Sequence, residues 1–103
     1  MKRVLLASKA RSFLLSEASY LRSHSPLAAD RFLTRIREAR RALGRFEELG
    51  FPNDALPLPG VRRLIVGDYL LDYVPGDIVM IVAMRHGRQG ESAIITDEID
   101  DFE

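Results

Sequence analysis

There is no cysteine in these 103 residues, and only two histidines, His24 and His86. Without cysteine the chain has no disulfide and no thiolate site, a usage that suits a reducing cytosol. Two isolated histidines, with no helical His/Glu pairing around them, leave zinc without a ligand set. The glycines form neither a phosphate-binding loop nor a dinucleotide fingerprint, and the serines sit on a helix and in turns with no nucleophile elbow around them. Long apolar runs are also missing. The start, Met1-Lys2-Arg3-Val4-Leu5-Leu6-Ala7-Ser8, is basic then apolar, but too short for a signal-peptide core or a membrane span. These absences predict a soluble cytoplasmic protein with no metal, no cofactor and no membrane partner. Its length fits one domain with one modest core.

What is present is a charge split hidden by a net charge of zero. All 15 Lys and Arg lie at or before Arg88, whereas Glu91, Asp97, Glu98, Asp100, Asp101 and Glu103 place 6 of the 15 acids at the end. Residues 1–90 therefore carry 15 bases against 9 acids, a balance of +6, and residues 91–103 carry −6. A basic body of this kind attracts a polyanion or an acidic protein, and the acidic segment competes for the same surface. The division predicts a domain over residues 1–89 and an acidic C-terminal tail over 90–103, disordered apart from Ala93-Ile94-Ile95-Thr96 as a possible extra strand.

Lys2 to Ala7 reads as a first strand, with Ser8 placed to cap a helix. From Lys9 to about Ser23, Leu14, Ala18 and Leu21 recur at helical spacing. Ser25-Pro26 interrupts: the residue before proline is pushed out of the α region, while proline itself is accepted in a first helical turn. A second helix then runs to about Leu49, with Phe32, Ile36, Ala39, Leu43 and Phe46 stepping along one face and six arginines on the others. So short a link predicts an antiparallel hairpin.

Gly50 ends that helix, and the proline-rich stretch to Gly60 is a loop. Three β-prone runs follow, Val61 to Val66, Tyr69 to Val74 and Ile78 to Met84, separated by Gly67-Asp68 and Pro75-Gly76-Asp77. They predict an antiparallel meander, and the fold class is α+β: N-terminal strand, two-helix hairpin, three-stranded meander. In the middle run Tyr69, Leu71 and Tyr73 face one way, and Leu70, Asp72 and Val74 the other. The last run is apolar throughout and reads as a strand covered on both faces.

The polar residues that stand out are Arg62, Arg63, Tyr69, Tyr73, Arg85, His86 and Arg88. Arginine holds phosphate through two parallel hydrogen bonds and histidine exchanges protons near neutral pH, the pair of abilities a metal-free ribonuclease needs. The plain alternative is that a strand ends in charge where it leaves the core. A meander also places the start of the strand with Arg62 and Arg63 and the end of the strand with Arg85 at opposite ends of the sheet, which splits the set. Arg85, His86 and Arg88 with Asp68 and Tyr69 make the tighter expected group, and Arg63 is expected near Tyr73.

Pro59-Gly60-Val61-Arg62-Arg63-Leu64, Gly67-Asp68-Tyr69-Leu70-Leu71-Asp72-Tyr73 and Ile78 to Arg88, in this order after Ser25-Pro26-Leu27-Ala28-Ala29-Asp30-Arg31-Phe32, resemble the ParE branch of the RelE/ParE toxin superfamily. The resemblance covers about residues 3 to 89. It implies the toxin of a type II toxin–antitoxin system, of the kind linked to plasmid stabilization and growth arrest, neutralised by a cognate antitoxin. ParE-like members are associated with DNA gyrase, and RelE-like members with mRNA cleavage on the ribosome. In a nuclease of the second kind the catalytic candidates are Arg63, Tyr73, Arg85 and His86; target-binding candidates are Arg62, Arg63, Tyr69, Arg85, His86 and Arg88. The split set favours a non-enzymatic gyrase inhibitor over an endoribonuclease, with an inactive antitoxin-binding relative as a third reading. Leu70 and Arg88-Gln89 depart from the family, which often has a basic residue after the strand's first tyrosine and two basic residues at the last strand's end.

Overall fold

The computed structural model describes residues 1–87. Arg88, the acidic tail and the possible strand at Ala93 to Thr96 lie outside the described residues. The element order is β1 (Arg3–Leu6), α1 (Ser8–His24), α2 (Pro26–Arg45), β2 (Phe51–Pro52), β3 (Arg62–Val66), β4 (Tyr69–Val74) and β5 (Ile78–His86). The expected α+β arrangement is present.

Ser25 alone links the two helices. Its N–H donates to Leu21 O, closing α1, and its Oγ accepts from Ala28 N–H 3.2 Å away, opening α2 with Pro26 in the first turn. At the other end of α1 the expected cap is not the one used. Ala7 occupies the cap position without a side-chain bond, and Ser8 is already helical.

α2 stops at Arg45, short of Leu49. Phe46 leaves the helical region and stands exposed, outside the stripe it was expected to extend. Tertiary contacts override the period here: the chain turns away so that Glu47 meets Lys2 and Gly76, and Gly50 meets Tyr73. Gly50 does not end the helix. It is buried, and a Cβ there would overlap the backbone of Arg63.

The sheet order is β1-β5-β4-β3-β2. The meander β3-β4-β5 is antiparallel as expected, with Gly67 at φ +59° in its first turn, a conformation glycine adopts without penalty. Two pairings are additional: β1 lies parallel to β5, and the short β2 lies antiparallel to β3. The outer edge of β1 meets α2, where Lys2 N–H donates to Gly44 O and Arg40 Nη2 donates to Val4 O at 2.7 Å.

Both helices cover one face of the sheet, α1 against β5 and α2 against β1 and β3. Phe32, Ile36, Ala39 and Leu43 of α2 meet Leu71 and Tyr73 of β4 and Val79, Ile81 and Met84 of β5 in one apolar core. Burial of these side chains is the main favourable term in the fold.

The spacing along β5 changes from two to three between Ile81 and Met84 because of a bulge. Asp72 pairs with Ala83 and Tyr73 with Ile81, so Val82 has no partner across β4. A bulge reverses which residues face which way beyond it. Met84 and His86 therefore turn toward the helices, and Ala83 and Arg85 toward the other face.

Candidate functional site

The polar residues singled out by sequence divide between two faces of the sheet. On the helical side, Tyr69 pairs with His86 across β4 and β5, as expected from the meander. The Tyr69 ring centroid lies 5.2 Å from that of His86, 4.8 Å from Phe32 and 6.1 Å from Phe13, two of the three contacts being edge-on. Its hydroxyl donates to Glu17 Oε2 at 2.5 Å. Burial pushes the Tyr69 phenol well above its ordinary 10, and the Glu17 carboxylate, which accepts the proton's hydrogen bond and repels a phenolate, pushes it further. His86 Nδ1 is buried with no partner among the described residues.

On the opposite face, Arg63 holds Asp72 through two parallel hydrogen bonds, Nε to Oδ1 at 2.8 Å and Nη2 to Oδ2 at 3.1 Å. Asn53 Nδ2 adds a third to Oδ1 at 3.3 Å, and Asp72 is only 3% exposed. A carboxylate this buried needs such partners, because an unpaired one would lose its hydration without replacement. Beside the pair is a cavity of about 430 Å³ whose lining includes Lys9, Ala55, Leu56, Arg63, Asp72 and Arg85. Lys9 and Arg85 bring further positive charge to a recess that also has an apolar wall. Such a recess suits an anionic group carried on an apolar segment.

This placement corrects the expectation that Arg63 and Arg85 lie at opposite ends of the sheet. Arg63 pairs with Asp72 and Asp72 with Ala83, two residues from Arg85 on the same face. Arg85 pairs with Leu70 and Leu70 with Ile65, so Arg85 lies only two residues, about 7 Å, further along the sheet than Arg63, with β4 between them. What divides the set is the face: the bulge sends Arg85 to Arg63's side and His86 to Tyr69's.

Arg63 neighbours Tyr73 in the sheet as expected, diagonally across β3 and β4, but the two side chains lie on opposite faces. Tyr73 is fully buried on the helical side, donating to Glu47 O at 2.8 Å and accepting from Gly50 N–H at 2.9 Å. Arg62 joins the same turn, with Nη2 donating to Gly50 O at 2.5 Å and to Glu48 O at 3.1 Å. Both residues hold the segment after α2. Arg88 lies outside the described residues.

Sequence reasoning missed Asp72, Asn53, Lys9 and Glu17 as partners. One signal for the first was available: an acid within the apolar run Tyr69 to Val74 requires a cation, and Arg63 is the neighbouring strand's nearest. Among the described residues no group of three or more His, Asp or Glu is placed to hold a metal, and no helix is long and apolar enough to cross a membrane.

A sheet flanked on one side by a helical hairpin, with a basic recess on the other, defines a small α+β module. The family described as "ParE toxin of type II toxin-antitoxin system, parDE" matches residues 4–90, and the chain belongs to it. A solved structure titled "Chromosomal ParDE TA system from P. aeruginosa" is similar in fold, with a TM-score of 0.65 and 21% identity, over 84% of this chain and 96% of that one. No curated protein matches the chain.

Proposed function

We propose that this ParE-family toxin arrests growth in the cytoplasm by binding DNA gyrase as a non-enzymatic inhibitor, and that a cognate antitoxin neutralises it. The observation that carries this reading is the division of the polar set between two faces. A nuclease needs its phosphate-holding and proton-transferring groups within hydrogen-bond reach of one scissile bond. Here His86 and Tyr69 lie on the helical side, Arg63 holds Asp72 on the other, and Tyr73 is closed into the core. The recess beside Arg63 and Arg85 is the target-contact candidate; Arg62, which holds Glu48 O and Gly50 O, is not part of its lining.

Exposed apolar side chains support the antitoxin. Leu15 and Tyr20 of α1 and Leu27 of α2 stand in solvent on the hairpin, and an amphipathic segment of a partner would bury them. Purified gyrase is expected to lose supercoiling activity when the toxin is added, and to regain it when the product of an adjacent antitoxin-like reading frame is supplied. Normal supercoiling at saturating toxin overturns the target assignment. New transcript ends after induction, with supercoiling unaffected, would instead make it a ribosome-dependent endoribonuclease.

A further inference from the structure

We propose that the outer face of α2 is a binding surface for the phosphate backbone of duplex DNA. At about 100° per residue, Arg31, Arg35, Arg41 and Arg45 fall within an arc of about 120°, opposite the stripe of Phe32, Ile36 and Leu43, and over 14 residues they extend about 21 Å. All four are exposed. Of the other two arginines on this helix, Arg37 is exposed but lies outside that arc, and Arg40 turns inward to Val4 O.

An acid one turn away on a helix can pair with an exposed arginine. Glu38 sits three residues from both Arg35 and Arg41, yet among the described residues no ion pair joins it to either, and none holds Arg31 or Arg45. The four guanidinium groups, spread over that arc with Glu38 as the one carboxylate among them and Arg35 Nη1 lying over Gly67 in the β3–β4 turn, leave this face of α2 net positive. Between Arg31 and Arg45 the face carries only Thr34, Glu38 and Ala42 besides the arginines, and large apolar side chains, Leu27 and Phe46, occur only beyond its ends.

That composition favours a nucleic acid over an acidic protein. Protein interfaces draw their affinity from buried apolar or aromatic anchors near the centre, which this face lacks. Duplex DNA instead presents phosphates at a regular rise of about 3.4 Å per strand, and binding follows from neutralising them and releasing their counterions. Arginine suits this through its paired N–H donors. The surface is separate from the recess beside Arg63, and its role does not require that gyrase be the target.

The test is fluorescence anisotropy of the full-length chain with a mixed-sequence duplex of about 20 base pairs, titrated between 50 and 200 mM salt. Four phosphate contacts predict a slope of log K against log salt of about −3.6, so the fourfold rise in salt weakens binding roughly 150-fold. Arg31→Gln with Arg35→Gln, or Arg41→Gln with Arg45→Gln, should halve the slope and leave only about a 12-fold salt effect. Glutamine keeps the helix propensity, and circular dichroism verifies the fold. Removing the same charge from α1, by Arg11→Gln with Arg22→Gln, should leave the slope unchanged. The proposal is overturned by absence of duplex binding at 50 mM salt, or by equal effects of the α1 and α2 pairs. It is equally overturned if polyglutamate binds more tightly than the duplex with the same dependence on the α2 arginines, since the face would then serve an acidic protein.

Discussion

Replacing Tyr73 by Phe removes a single oxygen from the core. That oxygen closes the segment after α2, accepting from Gly50 N–H at 2.9 Å and donating to Glu47 O at 2.8 Å. Gly50 is buried, so its amide would lose its partner with no water to replace it, at about 1–3 kcal/mol. Glu47 is only half-buried, so the loss of its bond adds a smaller amount. The expected loss is about 2–3 kcal/mol, and at roughly 4–8 °C per kcal/mol for a domain of this size the Tm falls by about 10–20 °C. Thermal unfolding followed by circular dichroism measures it. Toxicity should fall only as far as the folded fraction does. Gly50→Ala attacks the same contact from the other side, because its Cβ would overlap the Arg63 carbonyl, and should be at least as damaging. A Tyr73→Phe protein that melts within about 3 °C of the parent but is no longer toxic would refute this reasoning and return Tyr73 to a direct functional role.

Arg63→Ala should destabilise the domain by about 3–5 kcal/mol in urea unfolding, because it leaves the Asp72 carboxylate buried without its main cation. Arg63→Met combined with Asp72→Leu should recover most of that loss. A small single-mutant effect would mean that the pair is not desolvated in solution. Tyr69 predicts an alkaline limb: its folded phenol titrates above the unfolded value of 10, so the stability it contributes is fully present below about pH 10 and is lost as pH rises toward the folded value. Glu17→Gln should let the Tyr69 phenol ionise at lower pH, read from the phenolate absorbance as the difference from Tyr69→Phe. An unchanged ionisation would show that Glu17 has no part in it.

Much of this architecture was legible in the chain because it rests on local rules. Ser25-Pro26 both ends one helix and starts the next through hydrogen bonds within four residues. The stripe Phe32, Ile36, Ala39, Leu43 is buried as its period requires, and it fails only at Phe46, where the contacts of Glu47 and Gly50 pull the chain out of the helix. The alternation of Tyr69, Leu71 and Tyr73 against Leu70 and Asp72 holds in the sheet. The family resemblance carried by the order of these segments also proved correct.

The faces of the last strand were decided elsewhere. Ile78 to Met84 is apolar at every position, so either alternation buries equally greasy side chains, and nothing local prefers one. Only packing under the helices selects Ile81 and then Met84 for the core. That leaves Val82 as the extra residue of a bulge, which turns Arg85 toward Arg63 and His86 toward Tyr69. The sequence by itself determined the helices apart from the end of α2, the turns between strands and the meander, whose causes lie within a few residues of one another. The tertiary structure decided which of the polar residues share a surface, because that depends on the register and bulge of strands whose own residues do not specify it.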